Sequence, residues 1–148
     1  MLKLSCYKIE QSDMVFDQDI ITGKKCPYCG NKTILVDSKE VYSRSYGMIW
    51  LCRPCRAWVG VHKNSKKNAA LGRLANSSLR EWKKMAHTSF DSLWTRKISQ
   101  GFSKNTSRKM AYKWLASRMG LKASQTHIGW MDVEQCKQVI DICKPYIK

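Results

Sequence analysis

The sequence predicts an α+β fold in which a small three-stranded antiparallel sheet is followed by three helices. Three observations support this prediction. Two Cys-x-x-Cys pairs, Cys26-Pro27-Tyr28-Cys29 and Cys52-Arg53-Pro54-Cys55, are separated by 22 residues. Short β-branched and aromatic runs lie between the pairs and directly after the second one. Apolar residues then recur at helical spacing from about residue 78 onward.

The cysteine pairs predict a closed metal site. Each pair places two thiolates on one tight turn, and two such turns supply the four ligands of a tetrahedral structural Zn²⁺ site. The predicted ligands are Cys26, Cys29, Cys52 and Cys55, and the predicted cofactor is Zn²⁺. Iron held by the same thiolates, and disulfide or redox pairs, are the alternatives. Such a site stabilises the fold and is not itself a reaction centre.

The strands are predicted over residues 33–36, 48–51 and 57–62, which together with the cysteine turns make a zinc ribbon. A sheet this small buries little apolar surface, so it needs the metal in order to fold. The basic segment 63–74 is rich in Asn, Ser and Lys, and we predict a mobile connection there.

Three helices follow. The first begins at a capping box formed by Ser78 and Glu81, and one buried stripe runs along it. The second spans about 107–119 and ends at Gly120, which suits a left-handed C-terminal cap. The third begins at Asp132, whose Asp-x-x-Gln pattern is a variant of the capping box. The predicted stripe on the first helix comprises Leu79, Trp82, Ala86, Phe90 and Leu93.

Two domains are predicted from these elements. Residues 1–95 would form the ribbon with an N-terminal segment packed on it and the helix after it, and residues 96–148 would form a basic linker and a helical module. Cys6, Cys136 and Cys143 lie outside the metal pattern, and we interpret them as buried core thiols.

The chain of 148 residues carries a net charge of +16, and the excess is unevenly distributed. Residues 1–40 have six bases and six acids, whereas residues 41–148 have 21 bases and five acids. A domain this basic usually binds a polyanion, most often nucleic acid. No membrane span or signal peptide is apparent. Metal-spaced cysteines favour a reducing compartment, so we expect a cytoplasmic protein.

A nucleic-acid-binding surface is predicted around the second cysteine pair and the segment after it. Nine bases and a single acid, Glu81, lie between residues 53 and 84. Lysine and arginine contact phosphates, while exposed aromatic side chains such as Trp58 and Tyr46 stack on bases. The candidate residues are Arg53, Arg56, Trp58, Lys63, Lys66, Lys67, Arg73, Arg80, Lys83 and Lys84.

Two other functions compete with this interpretation. His62, His87 and Asp91 are the only set that suits metal-dependent nuclease chemistry, because His87 and Asp91 lie one helical turn apart. The usual His-Asn-His order of such nucleases is missing, and a His–Asp pair that only orients its helix is the simpler interpretation. A basic protein of this size also suits an inhibitor or adaptor that docks on an acidic host protein.

The chain also resembles an uncharacterised zinc-finger-containing domain family of bacteriophage and bacterial proteins. The resemblance rests on the two cysteine pairs, on the Trp58–His62 run Trp-Val-Gly-Val-His, on Leu-Gly-Arg-Leu-Ala, and on Phe-Asp-Ser-Leu-Trp. It extends into the tail through Lys-Trp-Leu-Ala and His-Ile-Gly-Trp-Met-Asp, so it covers roughly residues 24–143. It implies a zinc ribbon and a phage or mobile-element origin, and it implies no catalytic residue.

Overall fold

A computed structural model of the chain describes residues 18–147. The N-terminal segment predicted to pack on the ribbon lies largely before residue 18, and it falls outside the described residues together with Cys6. The chain forms two compact units, of which the first ends at Ser77 and the second begins at Ser78. We call them the ribbon unit and the helical unit.

The ribbon unit contains the predicted three-stranded antiparallel sheet. After a short helix α1 (Gln18–Ile21), the strands are β1 (Ile34–Asp37), β2 (Met48–Cys52) and β3 (Ala57–Gly60), in that order across the sheet. In the register of the sheet, Trp50 lies opposite Leu35 on one side and Val59 on the other. The central strand is the most apolar, which explains why four of its five residues are buried.

The core of the ribbon unit is thin and depends on close contact around Trp50. The Trp50 indole donates a hydrogen bond to the carbonyl of Asn68 at 2.8 Å. Gly23 lies against the same ring with φ of +90°, and a Cβ there would come within 2.6 Å of Trp50 Cδ1. Only glycine satisfies both the left-handed backbone and this distance. The buried apolar side chains are Ile20, Ile49, Trp50, Leu51, Ala57, Ala70, Leu74 and Ala75.

The segment after β3 has no regular secondary structure, as predicted for a loop, but it belongs to the ribbon unit and is not a connection between the units. Val61 forms an antiparallel bridge with Ala70, and Trp58 forms another with Ala75. Inside the loop that the Val61–Ala70 bridge closes, the Ser65 hydroxyl accepts a hydrogen bond from the amide of Ala69 at 2.9 Å. The bridged residues are Val, Ala and Trp, whereas the Asn, Ser and Lys residues form the loop that the Val61–Ala70 bridge closes.

The helical unit contains the three predicted helices: α2 (Ser77–Ser99), α3 (Lys104–Met119) and α4 (Val133–Cys143). Helix α3 begins three residues before the predicted start, because the Ser103 hydroxyl caps it by accepting from the amide of Thr106 at 3.1 Å. Gly120 ends it in the left-handed conformation with φ of 70°. The capping box of Asp132 and Gln135 is present at the start of α4.

The core of the helical unit is apolar and aromatic. The rings of Phe90 on α2 and Tyr112 on α3 have centroids 4.6 Å apart. Because α2 packs on α3, the boundary between compact units falls at the first residue of α2, whereas the sequence places it at 95/96. Of the predicted stripe, Leu79, Ala86 and Phe90 are buried while Trp82 and Leu93 are half-buried. Cys136 and Cys143 are completely buried, and burial raises the pKa of each thiol to about 11.

Among residues 18–147, no helix combines the length and the apolar character that crossing a membrane requires.

Candidate metal centre and basic surface

The first cysteine turn is shaped by main-chain hydrogen bonds around Cys26. The amide of Gly30 donates to the Cys26 carbonyl at 2.9 Å, and the amide of Cys26 donates to the Asn31 carbonyl at 2.8 Å. Gly30 adopts φ of 77°, which turns the chain back after Cys29. The amide of Tyr28 points at Cys26 Sγ at 3.4 Å, a contact that stabilises a thiolate.

The second cysteine turn repeats this plan with different residues. Cys52 ends β2, and β3 begins at Ala57, so the turn connects two paired strands. The amide of Arg56 donates to the Arg53 carbonyl at 3.1 Å. Arg56 has φ of 50° and occupies the position after the second cysteine that Gly30 occupies in the first turn. A non-glycine residue is therefore held in the left-handed region here.

The four sulfur atoms converge as a tetrahedral metal site requires. Cys26, Cys29, Cys52 and Cys55 have Sγ atoms that all lie within 4.8 Å of one another. The Cys29 and Cys52 Sγ atoms are 3.7 Å apart. Tetrahedral zinc with Zn–S bonds of about 2.3 Å has S–S edges of about 3.8 Å. All four cysteines are free thiols, so the disulfide alternative is wrong and the donor set fits structural Zn²⁺.

The electrostatics of this cluster favour a bound cation. Cys26 is completely buried, and burial raises its thiol pKa to about 12. Burial also raises the pKa of Cys55. Four thiolates this close repel one another unless a divalent cation neutralises part of their charge. Zinc binding must therefore displace thiol protons, and it weakens as the pH falls.

Arg73 lies beside the first cysteine turn rather than on the surface. Its side chain is only 3% exposed, and the guanidinium carbon is 5.7 Å from the centroid of the Tyr28 ring. The Tyr28 hydroxyl accepts a hydrogen bond from the amide of Asn76 at 3.3 Å, and burial raises the pKa of this hydroxyl. A side chain this buried does not reach phosphates, so Arg73 is removed from the predicted binding surface.

The other predicted bases of the ribbon unit are exposed. Arg53 is 58% exposed and forms an ion pair with Glu40, which partly offsets its charge. Trp58 is half-buried, and its indole donates to the Tyr42 hydroxyl at 3.0 Å. The exposed bases after Arg53 are Arg56, Lys63, Lys66 and Lys67.

Three predicted bases belong to the helical unit instead. Arg80, Lys83 and Lys84 lie in the first half of α2, where Lys84 is exposed and the other two are half-buried. The two units thus divide the sequence-predicted set between them.

The predicted catalytic residues do not gather into a metal site within either unit. His62 is exposed in the ribbon unit, whereas His87 and Asp91 lie on α2. Asp91 Oδ1 accepts a hydrogen bond from the Trp94 indole at 2.7 Å, so the carboxylate already has a structural partner. Burial lowers the pKa of His87 and outweighs the opposite effect of Asp91. Within the described part of each unit, only the four cysteines bring three or more ligand groups together.

Tyr42 and Arg44 belong to the ribbon surface, although the sequence-predicted binding surface does not include them. Tyr42 lies edge-on to both Tyr46 and Trp58, with ring centroids 5.5 Å and 5.9 Å away. The Arg44 guanidinium carbon lies 5.3 Å from the Tyr46 ring centroid. The signal in the sequence is the cluster of two tyrosines and one arginine in Tyr42-Ser-Arg44-Ser-Tyr46, which does not identify their partner Trp58.

Comparison with known proteins agrees with this metal centre. A family model described as a zinc-finger-containing domain matches residues 22–146, which is most of the chain. No curated protein matches, and no solved structure matches.

Proposed function

The chain belongs to the zinc-finger-containing domain family, and from that premise we propose that it binds nucleic acid, specifically DNA, through the ribbon unit. The zinc-finger assignment and the four-cysteine site support a structural Zn²⁺ that stabilises the sheet. The sheet in turn carries the basic residues of the binding surface.

The observation that carries the proposal is the basic segment enclosed by the Val61–Ala70 bridge of the ribbon unit. Lys63, Lys66 and Lys67 are all exposed on a segment closed by the Val61–Ala70 bridge. No acid occurs between residues 54 and 80, so no carboxylate neighbouring in sequence neutralises this charge. A solubilising surface ordinarily mixes both signs of charge, whereas a phosphate-binding surface concentrates one.

Closure of this segment also favours binding. The Ser65 hydroxyl and the Asn68 carbonyl are both engaged in hydrogen bonds, to the Ala69 amide and from the Trp50 indole. Lysines held on an ordered segment lose less conformational entropy when they bind phosphates than lysines on a mobile chain. The left-handed residues Asn64 (φ 66°) and Asn68 (φ 54°) shape the segment between them.

The proposal extends to the setting of the protein. Thiol ligands bind zinc only when they are reduced, and the cytoplasm keeps them so. We therefore place the function in the cytoplasm of a bacterial cell, and the resemblance described above favours a phage or mobile-element gene.

Salt dependence tests the proposal. We expect the logarithm of the affinity for duplex DNA to fall linearly with the logarithm of salt concentration, with a slope of about −0.9 per phosphate contacted. Lys66→Gln should make the slope shallower by about one. Lys144→Gln, which removes an exposed charge from the helical unit, is the matched control and should leave the slope unchanged. Fluorescence anisotropy measures the slope for both variants. An affinity that does not change with salt concentration would refute the proposal.

A further inference from the structure

We propose that the ribbon unit recognises unpaired bases of single-stranded nucleic acid, which stack on Tyr46 in an aromatic cavity. This inference rests on the proposed function and identifies its substrate class. The cavity lies beside β2 and β3 and has a volume of about 720 Å³. It is lined, among others, by Tyr42, Tyr46, Trp58 and Leu71.

The aromatic side chains of the cavity are fixed in orientation. Tyr42 meets Tyr46 at an interplanar angle of 87° and meets Trp58 at 89°. The hydrogen bond from the Trp58 indole to the Tyr42 hydroxyl holds the central ring. The main chain at Tyr46 is also held, because its amide donates to the Ser38 hydroxyl at 2.6 Å. Rings fixed in advance lose little entropy when a base stacks on them.

Tyr46 is nevertheless the most exposed of the large apolar or aromatic side chains described, at 66%. Tyr46 contributes little to the core of the ribbon unit, because most of its surface is exposed and Tyr42 makes the edge-on contact with Trp58. An exposed ring with a guanidinium near its face is the arrangement that binds bases by stacking and cation–π contact. Arg44 supplies that guanidinium.

The charge around the cavity suits a polyanion. Lys63 lines it directly, and the Arg44 guanidinium lies over the ring of Tyr46, which also lines it. Among the described residues that line the cavity, none is acidic. Its volume lies in the range of pockets that enclose small ligands, so a nucleotide fits while a duplex does not enter. Bases of a duplex are already stacked and paired, and their faces are unavailable to Tyr46.

The test compares single and double strands on the zinc-loaded full chain. Fluorescence anisotropy is measured at about 0.1 M salt with oligo-dT and oligo-rU of about 20 nucleotides, a duplex of equal length, and poly-glutamate. We expect the single strands to bind about tenfold more tightly than the duplex. The dT and rU arms show which sugar is preferred.

Variants at Tyr46 separate stacking from charge. Tyr46→Ala should weaken single-strand binding by about 5- to 100-fold and leave duplex binding and the salt slope unchanged. Tyr46→Phe keeps the ring and should bind as the native chain does. Phe102→Ala is the matched control, because Phe102 is also exposed, at 43%, with Lys97 5.7 Å from its ring centroid, but lies in the helical unit. Phe102→Ala should leave the affinities for single strands and for the duplex unchanged.

The outcomes distinguish this inference from the proposed function. If the chain binds no nucleic acid at all, the proposed function fails and this inference falls with it. If single strands and duplex bind equally and Tyr46→Ala has no effect, nucleic-acid binding stands and the stacking site is overturned. An equal loss in duplex binding, or an equal loss from Phe102→Ala, also overturns it. Poly-glutamate binding that is as tight and depends on Tyr46 indicates an acidic protein partner instead.

Discussion

The ribbon unit and the helical unit are stabilised in different ways. The ribbon unit has strands of four or five residues and a thin core around Trp50, and four cysteines converge at one end of its sheet. The helical unit has no such cluster among its described residues, and its core is filled by side chains such as Phe90, Leu115 and Val139. Metal coordination replaces apolar burial in the first unit.

The same difference decides where aromatic side chains are available for binding. In the helical unit, Phe90 and Tyr112 contact each other inside the core. In the ribbon unit, Tyr42 and Tyr46 also contact each other, yet both are exposed, at 43% and 66%. A unit stabilised by metal does not need every large side chain for its core. We infer that this freedom lets the ribbon unit present a binding surface.

Removal of zinc should have the largest effect on stability, and it should unfold one unit while the other stays folded. A strong chelator, or Cys26→Ser, is expected to unfold the ribbon unit, because structural zinc contributes about 10–16 kcal/mol in small zinc domains. The helical unit should keep its helices. Far-UV circular dichroism reports helix retention, and NMR of the Trp50 indole reports loss of the ribbon.

Cys143→Ala is the control for this experiment. It removes a completely buried cysteine from α4 and should leave one zinc per chain, measured by atomic emission. Simultaneous loss of both units on chelation would show that they do not fold independently.

A core substitution should produce the opposite pattern. Phe90→Ala removes a completely buried ring and is expected to destabilise the helical unit by about 3–5 kcal/mol through lost burial and a residual cavity. Zinc content and the ribbon signals should be unchanged. Urea denaturation followed by circular dichroism measures the loss, and zinc release from the Phe90→Ala variant would argue against the separation.

The two cysteine turns offer a smaller and more local test. Gly30→Ala places a side chain at φ of 77°, and should cost about 1 kcal/mol of ribbon stability. Space is not the cause, since the nearest atom to a Cβ there is Lys25 Cε at 3.9 Å. Arg56→Gly relieves the same conformation and should change stability by less than about 0.5 kcal/mol. Zinc competition titrations compare the two variants, and equal destabilisation by both would contradict the explanation.

The elements that the sequence predicted correctly are those with local causes. The ligands Cys26 and Cys29 share one turn, Gly120 ends α3, and the Asp132 box starts α4; each needs only a few neighbouring residues. The sheet was predictable because its strands follow one another along the chain.

The errors concern contacts between residues far apart in sequence. Arg73 looked like a surface base, but it is buried against Tyr28, 45 positions earlier in the chain. The polar composition of the loop after β3 predicts a connection outside the ribbon, yet the bridge between Trp58 and Ala75 includes this loop in the ribbon unit. Neither partner is apparent from spacing or composition, since packing across the fold determines both.

The central claim is that nucleic acid is bound by the ribbon unit and not by positive charge in general. Two triple variants test it directly, because each lowers the net charge from +16 by six, to +10. The first replaces Lys63, Lys66 and Lys67 by Glu, and the second replaces the exposed Lys104, Lys109 and Lys113 of α3 by Glu. The first should weaken DNA binding on the order of 100-fold and the second by less than about threefold, measured by anisotropy at one salt concentration. Equal losses in the two variants would contradict the account.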